Sequence, residues 1–149
     1  MILPITLTMA GAAALLNIWM GARVSRMRVA HKVSIGDGGN APLTARMRAH
    51  SNFVEYTPFF LILLGLIELA IGSEAWLWAV AVIYILGRIA HAFGMDRPRP
   101  DPLKLRTIGT VLTAIILLGL ALYAIVLPYL QRTPGPGITY AAAQLNLPR

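Results

Sequence analysis

TIGTVLTAIILLGLALYAIVLPYL, running from Thr107 to Leu130, decides the class of this fold. The stretch holds no charged residue, and a helix of this length crosses the roughly 30 Å hydrocarbon core of a bilayer. Its backbone polar groups have no water to pair with in lipid, so the segment is read as a helix. Three more stretches fit the same reading: about 2–21, 53–72 and 75–94. None alternates polar and apolar residues as the strand of a membrane barrel does.

Composition agrees. Of the 149 residues, 57% are hydrophobic and 13% charged, against roughly 45–50% and 25% in soluble domains. Mean hydropathy is +0.67. The expected fold is therefore all-α and integral to the membrane, a four-transmembrane-helix bundle over residues 1–130 with an extended tail over 131–149. That tail holds Pro134-Gly135-Pro136-Gly137. The first stretch lacks a basic residue before its apolar run and a clear cleavage site, so it is read as a retained span.

The net charge of +7 does not point to nucleic acid, because the basic residues flank apolar runs instead of interleaving with aromatics. The connection between the first two spans carries Arg23, Arg26, Arg28, Lys32, Arg46 and Arg48, and the one before the fourth span carries Arg97, Arg99, Lys104 and Arg106. The connection between the second and third spans, Ser73-Glu74, has no basic residue. The positive-inside rule places the two basic connections in the cytoplasm and both termini in the periplasm. Basic residues on both sides of Gly36-Asp37-Gly38-Gly39-Asn40 predict that the first two helices continue past the membrane and reverse there. Pro98, Pro100 and Pro102 predict a stiff, non-helical third connection. With no cysteine in the chain, any thiol chemistry must use a thiol from a small molecule.

Polar residues gather at the basic ends of the spans. Arg48, Asn52 and Glu55 stand at i, i+4 and i+7 and share a helix face, with Tyr56 beside them. Pro58 follows, where a kink would open room beside Glu55. Arg88 and His91 fall on one face near the end of the third span, and Arg106 with Thr107 at the start of the fourth. Taken singly, each has a plainer reading. Arg46 and Arg48 fit interfacial anchors, Glu55 and Arg88 an ion pair between helices, and Asn52 a helix–helix hydrogen bond. Together they point to a positively charged pocket for a small anionic ligand. Glu68, Asn17 and His31 read as packing or solvated residues. His50 and His91 lack a third ligand, so no metal is expected.

Arg48-Ala49-His50-Ser51-Asn52-Phe53-Val54-Glu55-Tyr56-Thr57-Pro58-Phe59-Phe60-Leu61 resembles the signature of the MAPEG superfamily, the membrane-associated proteins in eicosanoid and glutathione metabolism. Gly87-Arg88-Ile89-Ala90-His91 resembles the third-span motif of its prostaglandin E synthase branch, and the Gly36-Asp37-Gly38-Gly39 turn looks like the bacterial branch. The resemblance implies a homotrimer in a bacterial inner membrane, with glutathione bound near the cytoplasmic face between subunits. It implies that Arg28, Arg48, Asn52, Glu55, Tyr56, Arg88 and His91 bind glutathione and that Arg106 faces its thiol as the catalytic residue. It also implies transfer of the thiolate to a lipophilic electrophile, with peroxidase activity as a companion. Guanidinium groups suit glutathione's carboxylates. They also favour the thiolate over a thiol of pKa ~8.5, and one pKa unit requires only about 1.4 kcal/mol. Met95 stands where many members carry a tyrosine, and Ser51 and Thr107 depart from the prostaglandin branch, so eicosanoid specificity is not implied. Two other readings stand beside the enzyme: a non-catalytic lipid-binding or scaffold protein of the same fold, and a small anion-transporting subunit. The latter lacks the internal repeats and broken spans transporters often show.

Overall fold

The computed structural model describes residues 2–96 and 103–131. They form four helices: α1 (Pro4–His31), α2 (Ala41–Ile71), α3 (Ala75–Asp96) and α4 (Leu105–Leu130). All four are long and apolar enough to cross a membrane. The 28 residues of α1 and 31 of α2 reach about 42 and 46 Å at 1.5 Å per residue. They therefore overrun a 30 Å hydrocarbon core by about two and about three turns, as the basic residues at their facing ends predict. The 22 residues of α3 only just span it. Pro98, Pro100, Pro102 and the tail beyond Gln131 lie outside the described residues.

Each helix end has a local cause. Lys32 takes a left-handed conformation (φ 53°) and ends α1, with Val33 N–H donating to the Arg28 carbonyl at 2.9 Å. The turn that follows uses positive φ at Gly36, Gly38 and Gly39. Asn40 then caps α2, its Oδ1 accepting from Leu43 N–H at 2.9 Å, which satisfies one of the orphan donors of a helix start. The helix continues unbroken through Pro58. Gly72, at φ 86°, closes it and leads into the short hairpin before α3.

The start of α1 has no cap from its own chain neighbours. Glu68 of α2 provides one instead. Its Oε1 accepts from Ile5 N–H at 3.0 Å, and its Oε2 from Thr6 N–H at 2.8 Å and the Thr6 hydroxyl at 2.7 Å. The Ser73 hydroxyl donates to Oε1 at 2.7 Å. A buried carboxylate is costly in an apolar setting, but here it faces the positive end of a helix dipole and fills its unpaired donors. Glu68 is thus a structural residue, as expected, with a partner 62 positions away in sequence.

The helix order in space follows from packing. α3 lies against α1, α2 and α4, whereas α1 and α4 do not touch. Toward the hairpin end Ile5, Met9, Phe60, Leu64, Leu77, Tyr84 and Leu120 form one core cluster. The Phe60 and Tyr84 rings stack there at 3.8 Å, and the Tyr84 hydroxyl meets that of Thr57 at 3.1 Å. Toward the basic end the core is smaller-grained: Ala13, Leu16, Met20, Ala49, Phe53 and Ala92. Leu7, Leu15, Ile18, Phe59, Ile62, Ile115, Leu118 and Leu122 face outward, which suits lipid and explains why composition exceeds what one aqueous core needs.

Glycine lets α3 and α4 approach closely. A Cβ on Gly94 would fall on the backbone of Leu105 and Arg106, and one on Gly109 would lie 2.6 Å from His91 Cβ and 2.8 Å from His91 N. Small residues permit such backbone contact between membrane helices. The first turn of α4 is thereby held against the last turns of α3.

Candidate functional site

The close α3–α4 contact forms one wall of a groove of about 720 Å³ at the basic end of the bundle. α2 supplies the opposite wall with Arg48, Ser51, Asn52 and Glu55, while His91 and Arg106 come from α3 and α4. The predicted i, i+4, i+7 stripe thus faces a common space. Behind it, a recess of about 50 Å³ is lined by Asn52, Tyr56, Arg88 and Thr113. Seven of the eight residues expected at a ligand site therefore line these two adjoining spaces.

Arg28 is the exception. It lies on the overrunning part of α1, where its guanidinium donates to the Ser34 carbonyl and to Met47 Sδ, each at 3.4 Å, and it does not line the groove. Its position in α1, apart from the α2–α4 faces, accounts for the difference within one chain.

Arg88 is fully buried. Its Nη2 donates to Asn52 Oδ1 at 2.8 Å and its Nη1 to Thr113 Oγ1 at 3.2 Å, while Nε has no partner. Thr113 is oriented for this by donating its own hydroxyl proton to the Gly109 carbonyl at 2.8 Å. The Arg88–Glu55 ion pair considered from sequence does not form among the described residues. Arg88 is held by neutral oxygens, leaving its positive charge uncompensated behind the groove. Asn52 does make an interhelical hydrogen bond, and it also lines the ligand space.

His91 is tied to the start of α4. Its Nδ1 lies 3.3 Å from the Arg106 carbonyl and 3.2 Å from Thr110 Oγ1, and the Thr110 hydroxyl donates to that same carbonyl at 2.9 Å. With the hydroxyl proton committed, the consistent assignment makes Nδ1–H the donor and leaves Nε2 as an acceptor. These bonds fix the imidazole and the backbone that carries Arg106 to each other.

Several contributors carried no clear signal in sequence. Asp37 and Thr44 reach the rim of the groove from the turn and the first part of α2. Asp37 Oδ1 accepts from Gly39 N–H at 3.0 Å and Oδ2 from the Thr44 hydroxyl at 2.8 Å. The Gly39 backbone donor, then the Thr44 hydroxyl, hold its carboxyl below the usual aspartate value. Asp96 at the end of α3 pairs with Arg23 of α1 and with Arg46 of α2 at 3.1 Å, and Arg23 also lies 4.5 Å over the Trp19 ring. Arg46 is therefore part of a three-helix clip. His50 Nε2 meets Asn17 Oδ1 at 2.8 Å, joining α1 to α2.

Comparison with known proteins adds a family to this geometry. The sequence model of the MAPEG family matches residues 6–126, a range that contains every residue lining the groove. Inner membrane protein YecN of Escherichia coli K12 is 36% identical over 83 residues, which cover 55% of this chain and 63% of that protein. The protein of the same name from Escherichia coli O6:H1 matches to the same extent. The chain thus spans less than two thirds of the length of these relatives.

Proposed function

This chain belongs to the MAPEG family, and from that premise we propose that it binds glutathione or a similar anionic thiol in the groove and transfers the thiolate to a lipophilic electrophile. The observation that carries the reading is the convergence of Arg48, Asn52, Glu55, His91 and Arg106 on one groove, with the uncompensated guanidinium of Arg88 behind it. Cationic groups in a partly apolar setting favour an anionic ligand. Arg106 on the groove wall is the residue to stabilise the thiolate, since a nearby guanidinium lowers a thiol pKa. The sulfur lone pair then forms the new C–S bond as the electrophile's leaving group departs, or as an activated double bond takes up the electron pair. An apolar electrophile arrives laterally from the bilayer.

Glu55 is exposed on α2, about 24 Å from the far end of the helix at 1.5 Å per residue and so within the hydrocarbon core, where a charge facing lipid is expensive. A second copy covering this face removes that cost, which supports a homotrimer with the site at the subunit boundary. In that arrangement Arg28 serves a neighbour's groove. The relatives are named as inner membrane proteins, and we place this chain in a bacterial inner membrane as well. The basic connections face the cytoplasm and the termini the periplasm.

Glutathione binding to the purified protein, with the ultraviolet absorbance of bound thiolate, tests the proposal in wild type and in Arg106→Ala. Wild type is expected to show both signals, and Arg106→Ala to lose the thiolate signal. Absence of glutathione binding in wild type overturns the reading. A specific observation favours the second reading, a non-catalytic lipid-binding or scaffold protein. Arg88, Asn52 and Thr113 tie three helices together, which a purely structural network would also do. Binding without thiolate or conjugate formation would select it.

A further inference from the structure

One outward stripe of α1 changes character at the basic end of the bundle. Leu15, Ile18, Ala22 and Arg26 fall within about 80° of arc at 3.6 residues per turn. Leu15 and Ile18 are 71% and 67% exposed, and Arg26 is exposed as well. Arg28, two positions on, turns to the opposite side of the helix and meets Met47 of α2. We propose that the stripe seats an anionic phospholipid of the leaflet on the basic side, its phosphodiester on Arg26 and an acyl chain along Ala22, Ile18 and Leu15. The site lies apart from the groove and stands or falls independently of the thiol-binding reading.

Depth puts this guanidinium among headgroups. The hydrocarbon core is about 30 Å thick, and the polar layer adds roughly 5–7 Å on each side. Glu68 fixes the start of α1 against the hairpin end of α2, and Arg26 stands about 33 Å from Pro4 along the helix. A second landmark agrees. α3 only just spans the core, its last residue is Asp96, and Asp96 pairs with Arg23. Arg26 comes about 4.5 Å later along α1 than Arg23. Ile18 and Leu15, about 12 and 16 Å nearer the hairpin end, lie within the hydrocarbon.

Charge agrees with depth. Neighbouring arginines are engaged: Arg23 and Arg46 pair with Asp96, and Arg28 donates to the Ser34 carbonyl. Arg26 makes no hydrogen bond or ion pair among the described residues. The chain has no acidic residue before Asp37, and Gly39 and Thr44 hold that carboxylate. A headgroup carrying an ammonium therefore finds no acid on α1, which favours one of net negative charge. A guanidinium donates to two phosphate oxygens at once, and Ser25, exposed beside Arg26, adds a hydroxyl in the same layer. A basic residue at a membrane surface anchors a helix without choosing a lipid. Arg26 differs in the apolar track that leads to it, which a free phosphate has no chain to follow.

Native mass spectrometry of the full-length protein, released from micelles holding equal amounts of phosphatidylglycerol and phosphatidylcholine with the same acyl chains, tests the proposal. Both lipids carry a phosphodiester, and only the first has a net charge. Wild type is expected to retain phosphatidylglycerol about fivefold over phosphatidylcholine, the scale of one basic residue at an anionic leaflet. Arg26→Gln should remove that preference. Lys32→Gln deletes the same charge about 9 Å further from the core and should keep it. Thermal unfolding checks that both variants are folded, and the wild-type comparison needs no variant at all. Glycerol 3-phosphate, a headgroup without chains, should not compete at equal concentration. Equal retention of both lipids by wild type, a preference that survives Arg26→Gln or vanishes in Lys32→Gln, or competition by glycerol 3-phosphate overturns this inference and leaves the thiol-binding reading untouched.

Discussion

Asn52 Oδ1 accepts a hydrogen bond from Nη2 of Arg88 at 2.8 Å, and this contact joins the wall of the groove to a cation with no acid beside it. The amide oxygen is a lone neutral acceptor for one half of a buried guanidinium.

Asn52→Ala is therefore expected to destabilise the detergent-solubilised protein by about 1.5–3 kcal/mol, the range for a hydrogen bond to a charged group. Thr113→Val should cost less, about 1 kcal/mol, because its bond to Arg88 is longer at 3.2 Å. Thermal unfolding followed by circular dichroism checks the order. An unchanged melting temperature in Asn52→Ala would show that Arg88 finds another partner.

Two glycines, Gly94 at the α3–α4 contact and Gly119 on an open face of α4, predict opposite outcomes for one chemical change. Gly94→Ala places its methyl group on the backbone of Arg106, and no rotamer change relieves a backbone contact. Overpacking of this kind costs about 1–3 kcal/mol, and the shift falls on the residue proposed to face the thiol. Gly119→Ala meets no atom within 4 Å and should be neutral or stabilising by up to about 1 kcal/mol through helix propensity. Melting temperatures of the pair, with thiolate absorbance in each, separate packing from site geometry.

Glu68→Gln removes one of two acceptor oxygens and the charge, and turns an amide N–H₂ toward backbone donors. A destabilisation of about 2 kcal/mol is expected from the lost charge–dipole and hydrogen-bond interactions. Amide hydrogen exchange should localise the loss to the first turn of α1. Protection retained at Ile5 and Thr6 would contradict the capping role.

Asp96→Asn should do much less. Its arginine partners are partly solvent-exposed, with 28% of the Arg46 side chain accessible, and such pairs contribute about 0–1 kcal/mol. The effect should shrink further as salt is raised. A double-mutant cycle with Arg46→Met measures the pair, and a coupling that is insensitive to salt would count against this account.

Much of this arrangement was legible in sequence, and the residues show why. Uninterrupted apolar length reveals a membrane helix, because the bilayer imposes one dimension on every span. The stripe of Arg48, Asn52 and Glu55 was legible because all three sit on one helix, where spacing maps onto a face. Interhelical partners carry no such periodicity. Glu68 seeks backbone N–H groups near the start of the chain, and a backbone donor looks the same at every residue. Asp96 meets Arg23 and Arg46 across three helices, so neither distance nor order along the chain announces the clip. Asp37 read only as part of a turn, since its place at the rim depends on how the turn folds back over α2.

The carboxylate that completes α1 also says something about how the chain enters the bilayer. Inserted alone, α2 would carry an unpartnered acid near the far side of the membrane, and α1 would present a first turn of bare N–H groups. Each defect is the remedy for the other. The first two helices are thus poor passengers singly and sound ones as a pair, so Glu68 ties the stability of α1 in the bilayer to the presence of α2.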